Sequence, residues 1–300
     1  MSSRTTRHPQ TLALLALAAG ALGIATSGIF VRLSETGPVA TAFWRGALAL
    51  PLLALWSAWD RAPSQRASGP RDLRFFWAGL FFAGDLGLWH WSLLLTSVAA
   101  STLEANLAPI IVTLIAWVLW RERPRTAFLV ALALALAGVL AMVSPKLGAG
   151  GGALLGDFLG LATACCYAGY IVVVSRLRSA HATSSVMLRT TCVFTVLLLP
   201  IALTEKFFPD TLHGWAVLVG LAVIAQAFGQ GLIAYAFAHL PATLGSVGLY
   251  VQPVASALYA RILLGERLTP VQLLGACVVL IAIVLARASQ PARQSSAQRP

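Results

Sequence analysis

Ten mostly apolar runs, each close to twenty residues long, follow one another along this 300-residue chain, at 10–31, 38–58, 75–95, 101–120, 126–143, 154–175, 185–203, 215–237, 243–264 and 271–286. A helix that crosses a bilayer needs roughly 20 such residues, because each adds ~1.5 Å against ~30 Å of hydrocarbon. The runs are too long for barrel strands. In lipid every backbone N–H and C=O must be bonded within its own segment, so each run is predicted to be a transmembrane helix. The expected fold class is an all-α polytopic membrane protein with ten transmembrane helices. Composition closes off the soluble alternative: 58% of residues are hydrophobic and 10% charged, against about 25% charged in a soluble domain.

The formal charge of +11 would raise nucleic acid as a partner for a soluble chain. Here the arginines sit between apolar runs, and topology accounts for them. With the N-terminus in the cytoplasm, fourteen of the 21 basic residues fall in loops or tails on the inner side and five on the outer side. The excess of positive charge belongs inside, so both termini are expected in the cytoplasm and no nucleic-acid partner is expected. The polar tails are 1–9 and 288–300. No cleavable leader is expected, since the first run is long enough to span and lacks a convincing small-residue cleavage site. Cys165, Cys166, Cys192 and Cys277 lie inside apolar runs without metal-ligand spacing, so they read as small packing residues, with no metal and no cofactor. No P-loop, HExxH or GxSxG pattern occurs, so the chain is not read as an enzyme.

Sliding the chain against itself by 144 residues aligns its two halves without gaps. Gly87 meets Gly231, Thr102 meets Ser246, Pro109 meets Pro253, Arg45 meets Arg189, Arg32-Leu33 meets Arg176-Leu177, and Glu122-Arg123 meets Glu266-Arg267. Leucine matches are cheap in such a sequence, but coincident Pro, Gly, Arg and Glu-Arg are not. The repeats are drawn at 10–143 and 154–287. Five spans per copy is odd, so the second copy must enter the membrane from the opposite side. Inverted-topology repeats of this kind are typical of secondary transporters, whose substrate sites lie near the midplane between the copies.

This arrangement resembles the drug/metabolite transporter superfamily, in its EamA-type branch. Each copy has a Pro-containing fourth helix and ends it near Arg-Glu-Arg (121–123) or Gly-Glu-Arg (265–267). The runs Gly-Asp-Leu-Gly-Leu-Trp-His-Trp-Ser (84–92) and Asn-Leu-Ala-Pro (106–109) resemble bacterial members as well. The first copy departs from the pattern in having Arg121 where the second has Gly265. The resemblance covers about residues 10–287. It implies export of small metabolites, plausible substrates being amino acids, with the YddG-type aromatic amino-acid exporters as the nearest group. It also implies a bacterial inner membrane location. An uncoupled channel-like facilitator is the alternative.

Charges in lipid are costly, so each needs a reason. Asp85 is the deepest, ten residues from either end of its run, and shares a face with Trp89, Ser92 and Thr96 at helical spacing. It reads either as a structural hydrogen bond or as a contact for a substrate ammonium group or a proton, with protons the candidate coupling ion. Arg45 and Glu104 are expected to neutralise each other as a structural or gating pair, while Arg189 is expected to reach the cytoplasmic surface or to meet another carboxylate. Thr102 and Asn106 with Pro109, and Ser246 and Tyr250 with Pro253, form matched faces where a proline frees a carbonyl four residues back. Gln226 and Gln230 share a face and read as interhelical bonds or cavity lining. His90 is carried as a further candidate, although a lone histidine is more often a packing residue. Trp44, Trp89 and Trp91 are the deeper tryptophans. Trp120 and Trp215 suit the interfacial belt.

Overall fold

The computed structural model describes residues 7–60, 72–120, 126–143, 151–177, 181–239 and 251–288. Those residues are helical apart from short turns. The helices are α1 (Arg7–Ala25), α2 (Ser27–Leu33), α3 (Pro38–Trp59), α4 (Leu73–Leu95), α5 (Val98–Ala105), α6 (Ala108–Trp120), α7 (Thr126–Val143), α8 (Gly151–Leu177), α9 (Thr183–Ala202) and α10 (Leu212–Gly220), followed by a π-helical stretch (Leu221–Gly229), α11 (Gln230–His239), α12 (Val251–Leu263) and α13 (Pro270–Ala288). Five described segments are long and apolar enough to cross a membrane, namely Thr11–Leu33, Pro38–Trp59, Gly152–Val174, Thr183–Ala202 and Leu212–Ile233. Val98–Val112, Thr126–Ala141 and Pro270–Leu285 are shorter apolar helices.

Two of the expected spans are interrupted. The first is divided at Thr26, whose hydroxyl turns back onto the Gly23 carbonyl at 2.7 Å. The fourth, the run that contains Pro109, is broken into α5 and α6 by a turn at Asn106 and Leu107. Asn106 stabilises the break through Nδ2, which donates to the Thr102 carbonyl at 2.7 Å.

The packing repeats the sequence offset. α3 packs on α9 and α7 on α13, so each of these pairs with its own counterpart 144 residues away, while α5 packs on α12, the counterpart of α6. α4 packs on α8, and the counterpart pairing of α1 with the π-helical stretch and α11 is also present. Exchanging the two copies maps the α3–α9 and α7–α13 contacts onto themselves and the α4–α8 contact onto that of α1 with the π-helical stretch and α11. With five spans per copy, that exchange turns the second copy over, as an inverted repeat requires.

Lipid tails give little hydrophobic drive for one helix to join another, so close backbone approach matters more. A Cβ added at Gly138 on α7 would fall 2.8 Å from the Gly275 carbonyl oxygen on α13, and one at Gly20 on α1 would fall 2.8 Å from the Gly229 carbonyl oxygen. Outward positions on α7 and α13 carry Leu136, Leu140, Leu274 and Ile281, all exposed as lipid-facing side chains should be.

Carboxylates from one copy cap helices of the other. Glu205 accepts from Val39 N at 2.9 Å and Ala40 N at 3.0 Å at the start of α3. Glu35 accepts from Asp210 N at 2.9 Å and Thr211 N at 3.1 Å, next to the start of α10. Both place a negative charge where unpaired helix N–H groups and the positive end of the dipole favour it. The hydroxyl of Thr211 and these backbone donors hold the Glu35 carboxyl below its ordinary pKa. Glu266 of the Gly-Glu-Arg motif accepts from Val98 N at 3.1 Å with both oxygens and lies 3.5 Å from Arg32 Nη2, again across the two copies.

Candidate functional site

The broken fourth span matters because of where the break falls. Thr102, Ala105 and Asn106 line a cavity of about 140 Å³, with Asp85, Leu86 and Trp89 of α4, Ile24 of α1 and Ser27 of α2. Thr163 and Tyr167 of α8, Gln230 and Ile233 of α11 and Gln252 of α12 complete the wall from the second copy. Arg45 of α3 also opens onto it. Both repeats therefore build the same cavity. A second space of about 150 Å³ adjoins it, sharing Phe82, Tyr167, Gln230 and Ile233, and extends past Gln226 toward Thr183 at the start of α9.

Asp85 is 8% exposed and has no hydrogen bond or ion pair among the described residues. Its carboxylate opens onto the cavity, so it is not the helix-packing bond that was one of its two expected roles. The stripe it begins divides in two. Asp85 and Trp89 face the cavity, whereas Ser92 donates to the Gly156 carbonyl at 2.7 Å and Thr96 to Asp157 Oδ1 at 2.6 Å, which fastens α4 to α8. Asp157 and Tyr167 were not singled out from sequence. Asp157 lies near the end of its run, and a lone tyrosine in an apolar helix carries no spacing signal.

Arg45 is 2% exposed. Its Nε donates to Gln226 Oε1 at 2.9 Å, and it makes no ion pair within 4.0 Å among the described residues. The expected pairing with Glu104 is therefore corrected. Arg45 reaches across to the π-helical stretch of the second copy, while Glu104 is turned toward α8, where a Cβ at Gly160 would fall 2.2 Å from its Oε2. The carboxylate within electrostatic reach of Arg45 is Asp85. Gln226, 2% exposed, thus acts as an interhelical bond beside the second space, and Gln230 as lining of both spaces.

His90 is fully buried off the cavity wall. Its Nδ1 lies 3.0 Å from the Pro38 carbonyl, which can only accept, so Nδ1 carries the proton and His90 serves as packing between α4 and α3. Tyr250 lies outside the described residues. Trp91 is 44% exposed on the outer face of α4. Trp44 stands in an aromatic cluster with Phe43, Phe207, Phe208 and Trp215, its ring 5.0 Å from that of Trp215 and its Nε1 donating to the Phe207 carbonyl at 2.8 Å. This cluster lies at the end of the bundle that carries the Glu35 and Glu205 caps. Among the described residues no group of three or more His, Cys, Asp or Glu side chains stands close enough to hold a metal ion.

A helical bundle of two exchanged copies around a cavity lined by both is the architecture of many secondary transporters. Residues 11–144 and 154–288 each match the EamA-like transporter family, and the chain belongs to that family. It is 26% identical to an uncharacterized transporter of Archaeoglobus fulgidus over 279 residues, covering 89% of this chain and 94% of that one. It is 27% identical to the threonine/homoserine exporter RhtA of Salmonella typhimurium over 132 residues, 43% of this chain and 44% of the exporter. It is 25% identical to the pseudopaline exporter CntI of Pseudomonas aeruginosa over 188 residues, 62% and 65%. A crystal structure with a TM-score of 0.59 and 19% identity covers 97% of this chain and all of its own, which supports the fold.

Proposed function

We propose that this protein is a secondary exporter of small metabolites, amino acids including aromatic ones among them, working by alternating access in a bacterial inner membrane with both termini in the cytoplasm. The observation that carries the reading is the cavity built by both repeats, with the unpartnered Asp85 carboxylate on its wall. A buried carboxylate without a partner is costly unless something enters to meet it. The aromatic cluster and the crossed glutamate caps then act as the closed gate on one side, and two exchangeable copies supply the opposite arrangement. RhtA is named for the export of threonine and homoserine, amino acids that suit the same kind of cavity.

Protons are the coupling ion this reading favours, with Asp85 as the group that carries them. The test is counterflow in proteoliposomes holding the full chain, with a panel of amino acids and an imposed pH gradient. Uptake driven by the gradient in the intact protein and lost in Asp85→Asn is the expected result. Uptake that ignores the gradient in both would replace the exporter with an uncoupled facilitator.

A further inference from the structure

The deepest charges on the cavity wall are of opposite sign, come from different helices and do not meet. Asp85 projects from α4 and Arg45 from α3, both more than nine-tenths buried and both lining the same space. Resting on the transporter reading above, we propose that Arg45 receives the carboxylate of the substrate while Asp85 receives its ammonium group, so that the cavity selects α-amino acids and other small zwitterions.

Both groups have hydrogen-bonding capacity that the described residues leave unused. A guanidinium has five N–H donors in a fixed fork and no acceptor. Arg45 spends its Nε on Gln226 at 2.9 Å, and its two Nη groups find no acceptor among the described residues. A carboxylate only accepts, and Asp85 has no donor among the described residues. In a low-dielectric bundle each of these groups costs several kcal/mol unless it is paired. A lone cation would satisfy Asp85 and leave Arg45 stranded, and a lone anion would do the reverse. A solute carrying both charges satisfies the two at once and adds no net charge. The planar fork of arginine also matches the two oxygens of a carboxylate. Phe82, Trp89 and Tyr167 supply apolar wall for the remainder of such a solute.

Gln226 is the positioning residue. It holds Nε, which fixes the plane of the guanidinium and leaves the Nη edge for the ligand. It does so from a π-helical stretch of nine residues, Leu221–Gly229, a conformation that is rare and found often at functional sites.

The test uses the purified full chain and L-phenylalanine, L-threonine and the other L-amino acids, each with its methyl ester, which lacks the carboxylate, and its N-acetyl derivative, which lacks the ammonium group. For every amino acid that raises thermal stability, both derivatives should bind at least about tenfold more weakly, a loss of ~1.4 kcal/mol. Arg45→Gln should then erase the preference over the ester alone, and Asp85→Asn the preference over the N-acetyl form alone. Equal binding of an amino acid and its methyl ester to the unaltered protein overturns the proposal without any variant having to fold. Arg45→Gln weakening amino acid and ester alike overturns it too. If the protein carries solutes in counterflow but none of them is a zwitterion, the transport reading stands and this inference falls. If it carries nothing, both fall.

Discussion

Arg45 and Arg189 stand at matching positions of the two repeats, yet their surroundings are opposite. Arg45 is 2% exposed, bonded to Gln226 and open to the central cavity. Arg189 is exposed, its guanidinium carbon 4.9 Å from the centre of the Phe75 ring. The neighbours explain the difference. At the 144-residue offset Gln226 corresponds to Phe82, Asp85 to Gly229 and Gln230 to Leu86. Wherever the first arginine meets a polar partner, the second would meet a hydrocarbon or a glycine. An inverted repeat needs matched backbones to exchange conformations, but it needs only one set of polar groups to hold a ligand. Symmetry is kept in the helix contacts and broken at the site.

The sharpest way to break this comparison is to restore the symmetry. Gly229→Asp gives the second copy the carboxylate of the first. A Cβ there would fall 2.8 Å from Ile24 Cγ1 and 3.0 Å from the Ile224 carbonyl oxygen, because α1 lies directly against the π-helical stretch. Overpacking and a buried unpaired charge together should cost more than about 3 kcal/mol. Most of the folded protein should be lost, measured as the monodisperse fraction in detergent. A normal yield would mean that packing does not enforce the asymmetry.

A smaller effect is expected from Gln226→Phe, which gives Arg45 the neighbour that Arg189 would have. Losing a hydrogen bond to a buried charged group should cost about 1.5–3 kcal/mol, read as a lower thermal midpoint. Arg189→Ala should change stability by no more than about 0.5 kcal/mol, as expected for a surface substitution. Equal losses in the two variants would show that the arginines are equivalent after all.

The spans were legible because lipid imposes a length on them, and the duplication because Pro, Gly, Arg and Glu-Arg coincide at one offset. The cavity was partly legible. Asp85, Trp89, Asn106 and Gln230 all reach it, since a carboxylate, indole or amide deep in an apolar helix has few other places to go. The partner of Arg45 was not legible. Helical spacing assumes i→i+4 bonding, and a π-helical stretch widens the turn and re-aims every side chain that follows. No residue type in Leu221–Gly229 announces that change. Glu205 and Glu35 were passed over for a related reason: they sit in loops, where sequence gives no hint of which helix end lies nearby.

The smallest expected effect tests whether the Arg189 end is solvated. Phe75 beneath Arg189 also packs on His181, with ring centres 4.9 Å apart, and His181 Nε2 lies 3.6 Å from Asp72. Asp72 in turn accepts from Arg74, with Nη2 at 2.7 Å. That bond, before any other cause, lowers the Asp72 carboxyl to a pKa of about 2. A carboxyl depressed by folding stabilises the protein fully above its unfolded pKa of about 4 and loses that contribution as pH falls through its folded value. Arg74 is open to solvent, so screening limits the pair to about 1 kcal/mol or less. Asp72→Asn should therefore lower the thermal midpoint slightly at pH 7. The gap from the unaltered protein should narrow as pH falls from about 4 toward about 2, and shrink in about 1 M salt, where charges are screened beyond ~3 Å. A loss as large as that of Gln226→Phe, and unmoved by salt, would mean that this end is as dry as the cavity, and the contrast between the two arginines would have to be explained by something other than solvent.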